Sequence, residues 1–230
     1  MIRAIIFDMD GTLLDSETLW IRTPALLMAE MGCPVPATLS GVWGKARLRV
    51  QLRALCDIGA QPHGMSWDDC VAWCRERVLR FYFEDIPLKP GARAWLDRLN
   101  ALGVPMAILT ATREDAALAI LRKKNLLHSF RFVASTFDTA ATKESPEIFG
   151  LTAARLGFLP GECLVVDDTP FAIESAKAAG CPAWGVYEAV QGADSAQRIQ
   201  AAGGQYFLSL QDAMKTFDET CAPTFEGRDA

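Results

Sequence analysis

Short apolar runs recur along this chain, and stretches with helical periodicity separate them. The runs occupy residues 4–7, 104–109, 130–134, 163–166 and 183–186, and each is typical of a strand buried on both faces of a sheet. Helical patterns occupy residues 91–102, 113–124, 146–156 and 170–179. This alternation of strands and helices predicts an α/β fold with a parallel sheet wrapped by helices.

One long segment departs from that alternation. Residues 16–85 contain no comparable buried-strand run, but they show helical periodicity at 19–31, 46–56 and 67–83. Two prolines and a glycine at residues 87–91 indicate a stiff return to the sheet. We therefore expect an α/β core at residues 1–15 and 86–216, an inserted all-α domain at 16–85, and a frayed polar tail at 217–230.

Helix ends are indicated by local signals. Thr112 precedes Glu114 and Asp115 in the first turn of its helix, so it is expected to act as the N-cap. Thr169 followed by Pro170, and Gly180 at the other end, predict the limits of the last of the four helices.

Composition narrows the functional classes. Lys and Arg number 23 against 28 Asp and Glu, a net charge of −5, which argues against a nucleic-acid binder. With 50% hydrophobic and 22% charged residues the chain suits a folded globule rather than a disordered or membrane protein, and residues 4–7 are too short for a targeting signal. The 7 scattered cysteines lack paired zinc-site spacing, which indicates reduced thiols and a cytoplasmic location.

Acidic residues follow two of the predicted strands. Asp8 and Asp10 come after the first strand, and Asp167 and Asp168 come at the end of the fourth. A turn rich in Asp would explain either pair alone, but parallel strands bring both pairs to one sheet edge. Converging carboxylates repel unless a cation neutralises them, and oxygen ligands without histidine favour Mg²⁺.

Two further residues could reach the same edge. Thr110 follows the second strand, and Lys143 lies in the loop before the helix at 146–156. A capping or turn role would account for Thr110, and a solvated surface position would account for Lys143. With the acidic pairs, however, a hydroxyl and an ammonium group suit an anionic substrate.

These four segments, in this order, resemble the haloacid dehalogenase superfamily of phosphohydrolases, and specifically its β-phosphoglucomutase-like branch. The matching segments are residues 8–17 (DMDGTLLDSE), 109–111 (LTA), 143–149 (KESPEIF) and 165–169 (VVDDT). The resemblance covers residues 2–17 and 88–186, and it implies a Rossmann-like core with the insert acting as a cap. The third segment departs from the branch because Thr142-Lys143-Glu144 replaces the usual Gly-Lys-Pro, and Asp167-Asp168 replaces the usual Glu-Asp.

The resemblance also implies a role for each residue. Asp8 would be the nucleophile that accepts a phosphoryl group, Asp10 the general acid and base, and Thr110 and Lys143 the groups that neutralise charge on the phosphoryl oxygens. Mg²⁺ would be bound by Asp8, Asp167 and Asp168, with the backbone carbonyl of Asp10. Substrate contacts are expected from the loop residues Gly11, Thr12 and Ala111.

Hydrolysis of a small phosphate monoester, such as a sugar phosphate, is the favoured activity because relatives that cleave C–Cl or C–P bonds usually lack an Asp at the position of Asp10. A phosphosugar mutase shares the same residues and stays open, as does a non-catalytic binding or regulatory protein on this fold. No nucleic-acid or membrane partner is expected. The oligomeric state is left open, with a monomer favoured.

A basic segment of the insert offers a candidate for substrate selection. Lys45, Arg47 and Arg49 follow a glycine-bearing turn at the start of a predicted helix, where cations oppose the helix dipole. A solvated basic face would explain them equally well. The functional interpretation is that they face the acidic site and hold the part of the substrate that does not react.

Overall fold

Six parallel strands form the sheet of this protein, as a computed structural model shows for residues 1–16, 66–137, 141–222 and 225. The strands are β1 (Ala4–Phe7), β2 (Met106–Thr110), β3 (Val133–Ser135), β4 (Cys163–Asp167), β5 (Ala183–Val186) and β6 (Gln205–Phe207). Their order across the sheet is β3-β2-β1-β4-β5-β6. The expected α/β class with a parallel sheet is therefore confirmed.

The described helices are α1 (Trp67–Asp85), α2 (Ala92–Ala101), α3 (Glu114–Lys123), α4 (Pro146–Leu156), α5 (Pro170–Ala178), α6 (Ser195–Ala201) and α7 (Leu210–Thr220).

The chain divides into one unit of Met1–Asp15 with Pro87–Ala230 and a second unit of Ser16–Ile86. Within the second unit, α1 is described, and it begins with a reciprocal capping box between Ser66 and Asp69. The helices expected at 19–31 and 46–56 lie outside the described residues, and the role of this unit as a cap stays a prediction. No helix in the described part of the chain is long and apolar enough to cross a membrane.

The register of β1 with its two neighbouring strands determines which strand ends lie side by side. On β1, Phe7 lies opposite Ile108 of β2 and Val166 of β4. The residue after Phe7 therefore leaves the sheet at the level of Asp167, close to the end of β2 at Thr110. This register brings the first, second and fourth strand ends to one place.

Small and branched side chains build one face of the core. Ile6, Leu109 and Val165 project from alternate positions of three strands and pack with Phe149 of α4 and Ile173 of α5 in one buried cluster. Helices α4 and α5 pack side by side, and α6 packs against α5. Continuous apolar strands are needed because helices cover both faces of the sheet.

Aromatic side chains dominate the opposite face. Trp95 of α2 meets Phe7 of β1 edge to face at 5.2 Å between ring centroids, and it stacks on Trp184 of β5 at 6.3 Å. Phe217 of α7 lies 6.4 Å from Trp95 and 6.5 Å from Trp184. Phe225 stacks on Phe217 at 6.1 Å. These rings join the first strand to the last helix.

The expectation of a frayed tail from residue 217 is wrong for the described residues. Helix α7 continues to Thr220, and Phe217, Ala222 and Phe225 are buried. The helix is capped by the Ser209 hydroxyl, which accepts a hydrogen bond from the backbone N–H of Asp212. A few apolar residues are enough to dock this helix in a polar stretch of sequence, because they lie at helical spacing on one face.

The expected cap at Thr112 is also wrong. Helix α3 begins after Arg113, and no side chain caps its N-terminus. The Thr112 hydroxyl donates instead to a carboxylate on another loop, as described below. Strand β6 and helix α6 are not among the elements that the sequence predicts. Strand β6 forms the edge of the sheet beyond β5.

Replacing Phe217 with alanine tests the contribution of the terminal helix to the core. We expect Phe217→Ala to lower the free energy of unfolding by about 3–5 kcal/mol, since a large buried ring is lost and a cavity is left among aromatic partners. Lys215→Ala, on the exposed side of the same helix, should change it by less than about 0.5 kcal/mol. Urea unfolding followed by tryptophan fluorescence measures both, and equal stabilities of the two variants would contradict the packing role of Phe217.

Candidate active site

A tight turn after β1 presents the first acidic residues. The backbone N–H groups of Leu13 and Leu14 donate to the carbonyl of Met9 at 2.9 Å, and the N–H of Gly11 donates to the carbonyl of Leu14 at 2.9 Å. Gly11 adopts a φ of +82°, which L side chains rarely adopt. The turn is anchored because Met9, Leu13 and Leu14 are fully buried.

Three buried carboxylates converge at this sheet edge. Asp8, Asp167 and Asp168 each offer one carboxylate oxygen, and these atoms lie within 4.8 Å of one another. Their residues are only 6%, 1% and 1% exposed. Like charges at this spacing and burial are costly unless cations neutralise them. The arrangement therefore requires positive charge.

Lys143 supplies part of that charge. Its ammonium group donates to Asp8 Oδ1 and, at 2.8 Å, to Asp167 Oδ2. Burial alone would lower the pKa of Lys143, but the negative charges of Asp167 and Asp8 outweigh it and raise the pKa above its usual value. Lys143 is therefore a fixed cation in the site rather than the solvated surface lysine that sequence reasoning left open.

The pKa of Asp8 reflects its burial among these charged groups. Burial is the largest influence on this carboxyl, and it raises the pKa to about 7 even though the Lys143 ammonium acts in the opposite direction. The charge of Asp167 also acts to raise this pKa, and the value of about 7 is the net result of these influences. Within the described part of the chain, the Lys143 ammonium group lies among three buried carboxylates, and a bound divalent cation would favour the ionised form of Asp8.

Both residues of the second acidic pair are held by hydrogen bonds. Asp167 Oδ1 accepts from the backbone N–H of Thr169 at 2.8 Å and from its hydroxyl at 2.6 Å. Asp168 Oδ1 accepts from the hydroxyl of Thr12 at 3.0 Å, and Asp168 Oδ2 accepts from the side-chain amide of Gln191 at 2.6 Å. These donors fix the directions in which the two carboxylates point.

The backbone of Gly11 packs directly against Asp168. A methyl group added at Gly11 would lie 2.8 Å from the carboxylate carbon and from both carboxylate oxygens of Asp168. Any other residue would therefore push this carboxylate away, besides adopting a strained φ. Gly11 is needed at this position for contact with the acidic cluster as well as for its turn.

Asp10 is less buried than the three clustered carboxylates. It is half-buried, and its Oδ2 accepts a hydrogen bond from the hydroxyl of Thr112 at 2.7 Å. The backbone N–H of Thr112 in turn donates to the hydroxyl oxygen of Thr110 at 3.0 Å. The loop after β2 thus connects directly to the turn after β1.

The structure brings together most of the residues that the sequence singled out. Asp8, Lys143, Asp167 and Asp168 form one cluster, while Thr110 and Asp10 are connected through Thr112. The hydroxyl of Thr12, expected to contact substrate, donates to Asp168 inside the protein. Ala111 is exposed beside Thr110. Lys45, Arg47 and Arg49 lie outside the described residues.

Sequence reasoning missed the side chains that position the acidic residues. Thr112 and Thr169 each lie two residues beyond the end of a strand, at Thr110 and Asp167, and that shared spacing is a signal that could have identified them. Gln191 gives no such signal, because it lies in a 3-10 turn (Ala189–Gln191) beyond the end of β5.

Comparison with known proteins places this site in a family. The model of the haloacid dehalogenase-like hydrolases matches residues 2–180. Hexitol phosphatase A from Escherichia coli K12 is 32% identical over 181 residues, which cover 78% of this chain and 80% of the relative. A phosphorylated carbohydrates phosphatase from Thermotoga maritima is 26% identical over 220 residues, 94% of this chain and 98% of the relative.

Among solved structures, one from Thermotoga maritima, provisionally described as a β-phosphoglucomutase, superimposes with a TM-score of 0.83. It is 24% identical, and the match covers 95% of this chain and all of that one, which shows the fold. With the family model spanning most of the α/β core and the acidic strand ends included in the match, this chain belongs to the haloacid dehalogenase-like hydrolases.

Proposed function

We propose that this protein is a Mg²⁺-dependent phosphatase that hydrolyses a small phosphate monoester through a phosphorylated Asp8. The observation that carries the proposal is the cluster of buried carboxylates, Asp8, Asp167 and Asp168, around Lys143 at the edge of the sheet. The relatives named as hexitol and phosphorylated-carbohydrate phosphatases support a sugar phosphate or similar metabolite as the substrate.

The donor set fits Mg²⁺. Asp8, Asp167 and Asp168 offer hard oxygen atoms, and the described residues bring no histidine or cysteine into this group. These carboxylates would hold the ion, with the backbone carbonyl of Asp10 as a further ligand. When bound, Mg²⁺ would neutralise charge on the carboxylates and on the phosphoryl oxygens of the substrate.

Asp8 is proposed as the nucleophile because it is the buried carboxylate that the register of β1 places between the ends of β2 and β4. Its carboxylate oxygen would attack phosphorus, forming the aspartyl-phosphate bond as the bond from phosphorus to the ester oxygen breaks. Water would then attack phosphorus, releasing inorganic phosphate and restoring the Asp8 carboxylate. Lys143, already bound to Asp8, would stabilise the negative charge on the phosphoryl group.

Asp10 is proposed as the proton carrier of both steps. It would donate a proton to the leaving alcohol oxygen and later accept one from the attacking water. The hydrogen bond from Thr112 holds its carboxyl in place while leaving it half-buried beside the cluster. Its carboxylate is not one of the three that converge, which suits this role, because a residue that exchanges protons should not be a side-chain ligand of the metal.

A phosphosugar mutase remains the second candidate. It is favoured by the superposition on the protein from Thermotoga maritima provisionally described as a β-phosphoglucomutase. The two activities differ in the fate of the phosphoryl group, which is transferred to water or to a second hydroxyl of a sugar. Incubating purified protein and Mg²⁺ with phosphorylated sugars, nucleotides and small acids, and measuring phosphate release alongside isomer formation, distinguishes them.

The nucleophile is tested by Asp8→Asn. We expect kcat to fall by several orders of magnitude, because an amide oxygen is a poor nucleophile, while the protein remains folded. Asp97→Asn, on the exposed side of α2, is the matched control and should retain wild-type turnover. A kcat for Asp8→Asn above about one tenth of wild type would contradict the assignment, since a loss of about 1.4 kcal/mol is too small for a nucleophile.

The metal requirement is tested by chelation. EDTA should abolish turnover and added Mg²⁺ should restore it, because the carboxylates need a divalent cation. Ca²⁺ should bind but support turnover poorly, since it accepts longer and less regular coordination. The chelated protein with Na⁺ at matched ionic strength serves as the control. Undiminished activity in EDTA would exclude the metal from the reaction.

The basic segment at Lys45, Arg47 and Arg49 is proposed to hold the non-reacting part of the substrate. Alanine at each position should raise KM or change the ranking of substrates, with little effect on thermal stability. Lys123→Ala, an exposed lysine of the α/β unit, is the charge-matched control. Unchanged KM values and an unchanged ranking of substrates for all three variants would contradict this proposal, and the three basic side chains would then be ordinary solvated surface residues.

A further inference from the structure

Asp168 is the acidic residue of the cluster whose two oxygens both meet donors from other loops. Thr12, in the turn after β1, donates to Oδ1 at 3.0 Å, and Gln191, in the loop after β5, donates to Oδ2 at 2.6 Å. Gly11 closes a third side by packing against the carboxylate. Lys143 donates to the other two carboxylates, and the two donors to Asp168, Thr12 and Gln191, are neutral groups.

The turn that carries Gln191 is itself fixed. The backbone N–H of Gln191 donates to the carbonyl of Glu188 at 3.2 Å, and the turn ends at Gly192, which has a φ of 92°. The side chain of Glu188 is 4% exposed and forms an ion pair with Lys89 at 2.6 Å. A buried charge of this kind requires its partner, so the pair holds the start of the turn in one position.

Lys89 connects this turn to the first acidic loop. Its ammonium group also donates to the carbonyl of Tyr187 at 2.7 Å, and its backbone N–H donates to the carbonyl of Leu13 at 2.9 Å. Leu13 belongs to the same turn as Gly11 and Thr12, which contact Asp168 from the other side. The two loops that hold Asp168 are therefore tied to each other through Lys89.

We propose that Gln191 is a positioning residue for the metal site, orienting Asp168 through its side-chain amide and held in turn by the Lys89–Glu188 ion pair. This inference rests on the proposed function, because it assumes that Asp168 binds a divalent cation. The residues that orient metal ligands from behind set the geometry of the site and the affinity for the ion. Gln191 is such a residue, and it lies in a loop that carries none of the three clustered carboxylates.

Replacing Gln191 with methionine, which preserves side-chain length but removes the amide donor, tests the proposal by direct metal binding. Titrating chelator-treated protein with Mn²⁺, followed by electron paramagnetic resonance of the free ion, gives the Kd without any turnover. We expect Gln191→Met to raise the Mn²⁺ Kd about 10–100-fold, the range typical of lost outer contacts to a metal ligand. Gln197→Met, on the exposed part of α6, should bind Mn²⁺ as the wild type does.

Kinetics separate positioning from a general loss of structure. In Gln191→Met the Mg²⁺ concentration for half-maximal activity should rise with the Mn²⁺ Kd, whereas kcat at saturating Mg²⁺ should stay within about threefold of wild type. The thermal midpoint should match that of Gln197→Met, because Gln191 is only half-buried. A Kd within twofold of wild type would overturn the role of Gln191 while leaving the metal site intact. A wild-type protein that binds neither Mn²⁺ nor Mg²⁺ would overturn the metal site itself and this inference with it.

A double-mutant cycle tests the contribution of the ion pair. Glu188→Gln should also raise the Mn²⁺ Kd, and the double variant with Gln191→Met should be no weaker than Gln191→Met alone, because both act on Asp168 through one amide. Additive effects on the Kd would overturn the connection from Glu188 to Gln191.

Discussion

Repulsion among buried carboxylates is the constraint that shapes this protein. One carboxylate oxygen from each of Asp8, Asp167 and Asp168 lies within 4.8 Å of the others, and burial, the largest cause, raises the pKa of Asp8 to about 7 even beside Lys143. Such a group is stable only where neighbouring side chains supply hydrogen-bond donors or cations. Thr12, Thr169 and Gln191 are those donors, and they come from the loops after β1, β4 and β5.

The parallel sheet makes this concentration of charge possible. Because β1 lies between β2 and β4, the residues that follow these strands meet at one edge although about 60 to 160 positions separate them along the chain. The apolar residues of the strands are buried from both sides, so the polar ends have little freedom to shift. The packing of the apolar strand residues therefore fixes the positions of the polar residues at this edge of the sheet.

Much of this arrangement is readable in the sequence because it depends on local patterns. The apolar runs at 4–7 and 183–186 and the helical pattern at 146–156 coincide with β1, β5 and α4, since continuous apolar runs and a proline at the first helical position are strong signals. The acidic residues Asp8, Asp167 and Asp168 follow from the same reasoning, because their positions after buried strands are visible without the fold.

What the sequence could not predict depends on contacts between distant loops. Thr112 carries every local sign of a helix cap, but the helix begins after Arg113, and the Thr112 hydroxyl donates to the carboxylate of Asp10, which is 102 residues away. Gln191 is an ordinary polar residue until the loop after β5 is placed beside Asp168. The helix at Leu210–Thr220 was also hidden, because its apolar positions gain meaning only against the rings of Trp95 and Trp184.

The aromatic face has a further consequence for how the chain reaches its native state. Phe7 lies near the beginning of the chain and Phe225 near its end, yet both belong to one series of touching rings through Trp95 and Phe217. During synthesis the rings of Phe217 and Phe225, which complete this series, leave the ribosome about 200 positions after Phe7. Contacts of such large sequence separation slow folding, and the nascent chain must keep its central apolar strand from aggregating during that interval.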